Sequence, residues 1–300
     1  MSDLGPPLSL KERLRAALAE DLPQGDPTSE ALIPEGMLAL GRVVAGQELV
    51  ASGLSVVEPL ISLLDPKAEV KPLCRDGELM ARGEPLCEIR AGARAMLMAE
   101  RVMLNLLMRL CGIATLTRRA VEVAGGTQRV RILDTRKTTP LWRDLEKAAV
   151  RHGGGVNHRH SLSAMVLVKE NHLRLAGFSF SQVVLRAREL RPPSTPVEVE
   201  VEGLAQLEEA LASGADRILL DNFPPQEVVR AVRMRDDFCR RREPRYPDQV
   251  WPVELEASGG ITLANLSAYA QTGVEMVSLG MLTHSAPAVN LSLEVEPLSG

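Results

Sequence analysis

Residues 9–20 carry leucines at helical spacing behind a serine suited to capping, which predicts an amphipathic helix. Residues 21–34, dense in turn formers, read as a loop. Over residues 40–89, β-type stretches at 41–44 and 85–89 are separated by Gly, Pro and Asp punctuation and one helical run, 54–64, so this part reads as an α+β unit. Residues 94–123 are rich in helix formers, broken only at Cys111-Gly112, and predict two consecutive helices with a bend there, joining two domains.

Beyond that point apolar β-type runs (130–133, 165–168, 197–201, 217–220, 253–256 and 276–279) alternate with helical runs (180–190, 204–212, 225–241 and 264–272). Strand then helix at this spacing indicates parallel βα units with right-handed crossovers, either in a (β/α) barrel or in an open doubly wound sheet. No G-x-G-x-x-G follows an early strand, which disfavours the nucleotide-binding open sheet.

The placement of polar residues favours the barrel. In Glu198-Val199-Glu200-Val201-Glu202, period two puts the acids on one face and the valines on the other. In a barrel the valines meet the helices and the acids face the lumen; the alternative is an edge strand with a solvated acidic face. The other strands also end in polar groups, at 134–137, 169–172, 221–222, 258–260 and 278–280. Barrel active sites collect at such C-terminal strand ends.

A chain of 300 residues admits two domains, or one large barrel with additions, and 45% hydrophobic residues suffice for a large core. Aromatic residues at 3% and a formal charge of −4 disfavour base stacking and any global attraction to nucleic acid or anionic lipid. The seven arginines over 230–245 are interspersed with Asp236, Asp237 and Glu243, and read as a solvated helix face and loop. Four cysteines without C-x-x-C spacing fit a reduced, cytoplasmic setting. The N-terminus lacks a basic and apolar leader and no apolar run reaches a membrane span of ~18 residues, so secretion and membrane insertion are disfavoured.

Positive charge is local. Residues 129–172 hold nine Lys or Arg against four acids, together with four of the five histidines, His152, His158, His160 and His172. If Arg136, Lys137, His158, Arg159 and Lys169 converge at the strand ends, two cations ~6 Å apart repel by roughly 2 to 3 kcal/mol at an effective dielectric of ~20. Such a cluster suits a polyanionic resident, since charge-assisted hydrogen bonds return roughly 1.5 to 3 kcal/mol each. Gly153-Gly154-Gly155 and Ser258-Gly259-Gly260 offer backbone amides to phosphate oxygens, with Gly280 completing a barrel phosphate site; ordinary tight turns are the alternative. Glu200 and Asp221, ending neighbouring strands, suit Mg²⁺, which takes one or two carboxylates plus waters and substrate phosphates. The residues alone thus point to a barrel enzyme that acts on a phosphorylated, highly anionic substrate with Mg²⁺.

The string Asp134-Thr135-Arg136-Lys137-Thr138-Thr139-Pro140, followed by Gly153-Gly154-Gly155-Val156-Asn157-His158-Arg159, resembles the quinolinate phosphoribosyltransferase family, the carboxylating nicotinate-nucleotide pyrophosphorylases. The likeness extends over Gly25-Asp26-Pro27-Thr28-Ser29, Glu100-Arg101, Lys169-Glu170-Asn171-His172, Glu198 to Glu202, Asp221-Asn222, Glu256-Ala257-Ser258-Gly259-Gly260-Ile261 and Leu282-Thr283-His284-Ser285.

The resemblance implies transfer of ribose 5-phosphate from phosphoribosyl pyrophosphate to quinolinate with loss of CO2, in NAD biosynthesis. It implies an α/β fold, an incomplete (β/α) barrel with an N-terminal α+β, sandwich-like domain. The division expected is 1–118 for that domain, 119–282 for the barrel and 283–300 for a segment returning to the N-terminal domain. It also implies homodimers, with higher assembly left open, whose sites are shared, Arg101 reaching into the partner's barrel.

By motif, Lys137, Lys169, Glu200 and Asp221 would be catalytic, and Glu200 and Asp221 would also hold Mg²⁺. Arg101, Arg136, Lys137, Thr138, His158, Arg159 and Lys169 would bind the dicarboxylate and phosphates, and Glu200 and Asp221 the ribose and pyrophosphate. Ser258, Gly259, Gly260, Ser278 and Gly280 would hold the 5-phosphate side.

The chain departs from the family pattern at Leu141-Trp142, where Gly-Leu or Gly-Phe is usual, and at Ala164 and Glu170, where Asp is common. Residues 235–250 look longer than needed. Competing readings are a pyrophosphorylase-like relative associated with molybdenum transport, disfavoured by Lys169, a Schiff-base lyase using Lys169, and a non-catalytic phosphate-binding module.

Overall fold

The computed structural model describes residues 6–126, 130–192 and 195–298; Arg129 of the basic segment lies outside them. The first elements are α1 (Leu10–Asp21), α2 (Pro27–Leu32), β1 (Leu38–Ala45), β2 (Leu49–Val50), α3 (Val57–Ile61), β3 (Glu69–Pro72), β4 (Leu79–Met80), β5 (Pro85–Gly92) and α4 (Ala93–Val123). Then come β6 (Arg131–Leu133), α5 (Arg143–His152), β7 (Val166–Val168), α6 (Glu170–Ala176), α7 (Phe180–Leu190), β8 (Val197–Val201), α8 (Leu204–Ser213) and β9 (Arg217–Asp221). The chain continues through α9 (Pro225–Arg241), β10 (Glu254–Ser258), α10 (Leu263–Ala270), β11 (Met276–Ser278), α11 (Met281–His284) and β12 (Leu291–Pro297).

These elements form two compact units. One comprises the chain up to Leu116, Thr139–Gly154 and the chain from Ala286; the other comprises Thr117–Thr138 and Gly155–Ser285. The contiguous 119–282 segment expected for the barrel is therefore interrupted. Helix α5 groups with the first unit because Arg13 grips its Asp144, Arg109 its Glu146 and Ser52 its His152.

In the first unit a four-stranded antiparallel sheet runs β12-β1-β5-β3, so the C-terminal strand returns to pair with β1. Strand β1 alternates buried and partly exposed positions, the period of a sheet with one packed face. Leu14 of α1, Leu60 of α3, and Met96 and Leu107 of α4 share the core with Val43 and Ile89. Helix α1 begins as its sequence predicts, with Ser9 and Glu12 forming a reciprocal capping box. The expected loop at 21–34 instead holds α2. Asp26 caps it by accepting from the Thr28 and Ser29 amides, and Pro27 starts it; six residues are too few to show a period.

The two helices expected over 94–123 are one helix of 31 residues. Gly112 does not break it. A Cβ there would stand 2.1 Å from the Pro287 carbonyl oxygen, so the glycine serves the close approach of another chain segment. Leu141 occupies the left-handed region at φ 69, which costs a non-glycine residue roughly 1 to 2 kcal/mol. Arg13 secures this turn: it donates to the Leu141 carbonyl, grips both Asp144 oxygens at 2.7 Å and lies 5.2 Å from the Trp142 ring centre.

The second unit is a barrel-like parallel sheet in the order β6-β11-β10-β9-β8-β7, backed by helices. Val156 adds a further bridge outside β6. The sheet leaves β6 and β7 unpaired with each other, an incomplete barrel. Strand β8 lies between β7 and β9 rather than at an edge, and Val197, Val199 and Val201 are fully buried.

Residues 242–250, without a role in the sequence, brace the N-terminal end of β8 and β9. Buried Asp216 accepts from the Val197 and Val250 amides and from Arg188, which also pairs with Asp248. Gln249 donates to the Ala215 carbonyl, and Tyr246 packs where a Gly214 side chain would stand. The expectation of a wholly solvated arginine face fails at Arg235, which is 5% exposed and donates to the Val253 carbonyl and to Glu275.

Alanine within a helix ordinarily improves on glycine by about 1 kcal/mol. Gly112→Ala is expected to do the reverse, lowering the thermal midpoint, because overpacking typically costs about 1–3 kcal/mol. A calorimetric midpoint equal to or above that of the parent would contradict the close approach at Pro287.

Candidate active site

The strand ends of the second unit surround a cavity of about 840 Å³. Each parallel strand turns alternate side chains into the lumen, and the residue after its last pair stands at the rim. Arg136 and Lys137 follow β6, His158 and Arg159 follow the Val156 bridge, and Lys169 follows β7; all five line the cavity. So do Glu200 of β8, Asp221 of β9, Ser258, Gly259 and Gly260 at the end of β10, and Ser278 and Gly280 at β11.

Burial and the neighbouring Arg136 both pull Arg159 below its ordinary pKa, the signature of crowded like charge. Arg136 Nε is buried with no hydrogen-bond partner among the described residues, a donor available to an anion. Arg159 donates to the Met165 carbonyl at 3.1 Å. Lys169 is ion-paired with Glu200.

In the same cavity lining, Gly259 (φ 94) and Gly260 (φ 61) take left-handed conformations before α10. A Cβ on Gly259 would stand 2.2 Å from Asn222 Oδ1, so both sterics and dihedral require glycine. Asn222, itself left-handed at φ 58, donates from its amide to Ser258 O at 2.8 Å and from Nδ2 to Asp221 at 2.8 Å. The acidic strand end and the glycine turn are thereby locked together. Lys137 is tied from behind, its carbonyl accepting from Thr283 Oγ1 at 2.8 Å.

Beneath the cations lies a buried cluster that the sequence reading did not assemble. His158 Nε2 is 3.1 Å from Glu198 Oε2 and 3.5 Å from Glu256 Oε2, and neither acid has measurable exposure. Burial alone would lower the His158 pKa; the hydrogen bond to Glu198 and the close negative charges of Glu256 and Glu198 outweigh it and lift it to about 10. Burial, then the adjacent Glu256, pushes Glu198 up to about 7. A doubly protonated ring conflicts with one contact, however: the Arg159 amide donates to His158 Nδ1 at 2.8 Å, which needs a bare nitrogen. The geometry decides for one proton on Nε2 and a bare Nδ1.

Four expected residues fall elsewhere. Thr138 does not line the cavity; its amide donates to the Arg136 carbonyl in the tight turn after β6. Arg101 lies on α4 in the first unit, 68% exposed and 3.3 Å from Glu100 of its own helix. Gly153 and Gly154 end α5 and are absent from the cavity lining, so the triple glycine does not contribute the phosphate cradle expected of it. Conversely Glu198, Glu256, Asn222 and His284 were not singled out. For Glu198 the signal was present, since period two places it on the luminal face with Glu200.

Residues 26–111 match the family model described as quinolinate phosphoribosyl transferase, N-terminal domain, and residues 113–294 match its C-terminal domain. The nicotinate-nucleotide pyrophosphorylase (carboxylating) of Mycobacterium leprae is 40% identical over 288 residues, 95% of this chain and 96% of that protein. The crystal structure of NadC from Streptococcus pyogenes superposes with a TM-score of 0.87 at 34% identity, covering 100% of both chains. That of the nicotinate-nucleotide pyrophosphorylase from Francisella tularensis gives 0.84 at 33% identity, covering 96% of each. The chain belongs to the quinolinate phosphoribosyltransferase family.

Proposed function

We infer that the family reaction runs in this one cavity, with Arg136, His158 and Arg159 choosing the acceptor, and the acidic and glycine-rich strand ends together with Lys137 and Lys169 holding the donor. The enzyme transfers the 5-phosphoribosyl group from phosphoribosyl pyrophosphate to quinolinate, giving nicotinate mononucleotide, pyrophosphate and CO2 in NAD biosynthesis. The observation that carries this assignment is the convergence of Arg136, Lys137, His158, Arg159 and Lys169 with Glu200, Asp221 and the Gly259-Gly260 turn in one cavity.

Arg136 and Arg159 suit the two carboxylates of quinolinate, since a guanidinium grips a carboxylate through two donors. The ring nitrogen's lone pair then forms the bond to ribose C1 as the bond to pyrophosphate breaks. Glu200 and Asp221 stabilise the positive character that develops on the ribose, and Lys137 and Lys169 the negative charge that leaves with pyrophosphate. The C2 carboxylate departs as CO2, its bonding electrons staying on the now cationic ring until a proton replaces it.

Glu200 and Asp221 fit Mg²⁺: two carboxylates at adjacent strand ends open into a cavity that also offers phosphate-binding backbone. Lys169 must exchange its partner for Glu200 to be free, and the ion would supply charge neutralisation to the pyrophosphate. A Schiff-base role for Lys169 is disfavoured by its exposure, 48%, and its pairing with Glu200.

Arg101, exposed and ion-paired along its own helix with Glu100, supports a homodimer in which it serves the partner's cavity. Four free cysteines, three of them buried, support a reducing, cytoplasmic compartment. Among the described residues no helix is long and apolar enough to cross a membrane.

Asp221→Asn is expected to lower Mg²⁺-dependent turnover by more than about tenfold while changing quinolinate affinity by less than about twofold. Equal losses in kinetics and calorimetry would contradict its place on the donor side. Arg101→Ala and Lys169→Ala subunits, each nearly inactive alone, are expected to recover partial activity on subunit exchange. No recovery in verified heterodimers would exclude shared sites.

A further inference from the structure

The buried cluster beneath the cations explains something that the residues touching the cavity do not. A flexible basic loop with several like charges spreads apart, yet residues 157–159 are pinned from several directions. Asp134, fully buried at the end of β6, accepts from Asn157 Nδ2 at 2.6 Å and from the His158 amide at 2.9 Å. Glu198 of β8 and Glu256 of β10 face His158 Nε2 from the lumen, while the Arg159 amide donates to Nδ1 on the other edge of the same ring. With a donor required at Nε2 and an acceptor at Nδ1, the ring has one tautomer and one flip state.

Carboxylates enforce this better than amides would, because an ionised carboxylate only accepts. The arrangement also has a cost that folding alone does not explain. Glu198 Oε1 and both Glu256 oxygens are buried with no hydrogen-bond partner among the described residues. Replacing buried ionic groups by apolar ones of similar size is often neutral or stabilising, so their retention points to the site above them.

We propose that Glu198, supported by Glu256, is a positioning residue for the acceptor: it fixes the His158 ring, and through that ring the Arg159 backbone, in the orientation that receives the pyridine dicarboxylate. This rests on the reading of His158 and Arg159 as the acceptor grip. Arg217 of β9 adds positive charge near Glu198, and Arg159 also feels the Glu198 charge, so the buried acids sit among cations rather than in an apolar void.

The test compares Glu198→Leu, Glu198→Gln and His158→Ala by calorimetric titration with quinolinate and, separately, with phosphoribosyl pyrophosphate. Glu198→Leu and His158→Ala are both expected to weaken quinolinate binding by about tenfold or more, the scale of a lost charge-assisted hydrogen bond. Phosphoribosyl pyrophosphate affinity is expected to stay within about twofold, and Glu198→Gln, which keeps an acceptor oxygen, to recover most of the quinolinate affinity.

If Glu198→Leu binds quinolinate like the parent while His158→Ala does not, the positioning role is wrong and the grip stands. If His158→Ala also binds normally, the reading of the grip fails with it. Equal weakening of both ligands by Glu198→Leu would show a merely structural role and overturn the proposal. Nitrogen-15 NMR of the parent enzyme gives an answer even where Glu198→Leu does not fold. The His158 ring is expected to show a protonated Nε2 and a bare Nδ1, and a proton on Nδ1 or tautomer averaging would refute it.

Discussion

Crowding of like charge is the constraint around which the second unit is organised. Arg136, Lys137, Arg159 and Lys169 share one cavity with His158, and burial together with the neighbouring Arg136 lowers the Arg159 pKa. Such a set persists only where carboxylates compensate it from fixed positions. Asp134, Glu198 and Glu256 lie beneath the loop that carries His158 and Arg159, and Glu200 pairs with Lys169 at the rim. The compensation is partial, which leaves Arg136 Nε and the exposed lysine ends for an anionic substrate.

A parallel barrel supplies those fixed positions cheaply in sequence terms. Period two along β8 sends Val197, Val199 and Val201 outward into the helical layer and Glu198 and Glu200 inward at successive depths. The deeper acid meets the His158 ring and the shallower one lines the cavity. The end of β10 uses backbone instead of charge: Gly259 and Gly260 turn in the left-handed region, and Asn222 fills the space that any side chain on Gly259 would need.

Much of this was legible beforehand. Strand β8 and helices α7 and α9 begin and end where their periodicity says, because strong alternation and clear breakers bound them. The five basic and imidazole side chains that the spacing brought to the strand ends do line one cavity. What was not legible depends on partners far away in the chain. Gly112 looks like a helix break until Pro287 is placed beside it, and Arg235 looks solvated until Val253 and Glu275 are seen to receive it. The triple glycine at 153–155 resembles a phosphate loop, yet its first two residues close a helix. Glu256 was invisible as a site residue because its place on β10 acquires meaning only from His158, nearly a hundred residues earlier.

The central claim is that a single cavity brings a pyridine dicarboxylate and a phosphoribosyl donor together, so transfer and decarboxylation must be coupled. The direct measurement incubates the purified protein with quinolinate, phosphoribosyl pyrophosphate and Mg²⁺, following nicotinate mononucleotide, pyrophosphate and CO2 in the same reaction, with nicotinate as the comparison acceptor. The account predicts equimolar products from quinolinate and none from nicotinate. Turnover of nicotinate at a comparable rate, or nucleotide formed without its equivalent of CO2, would contradict the role given to the basic cluster.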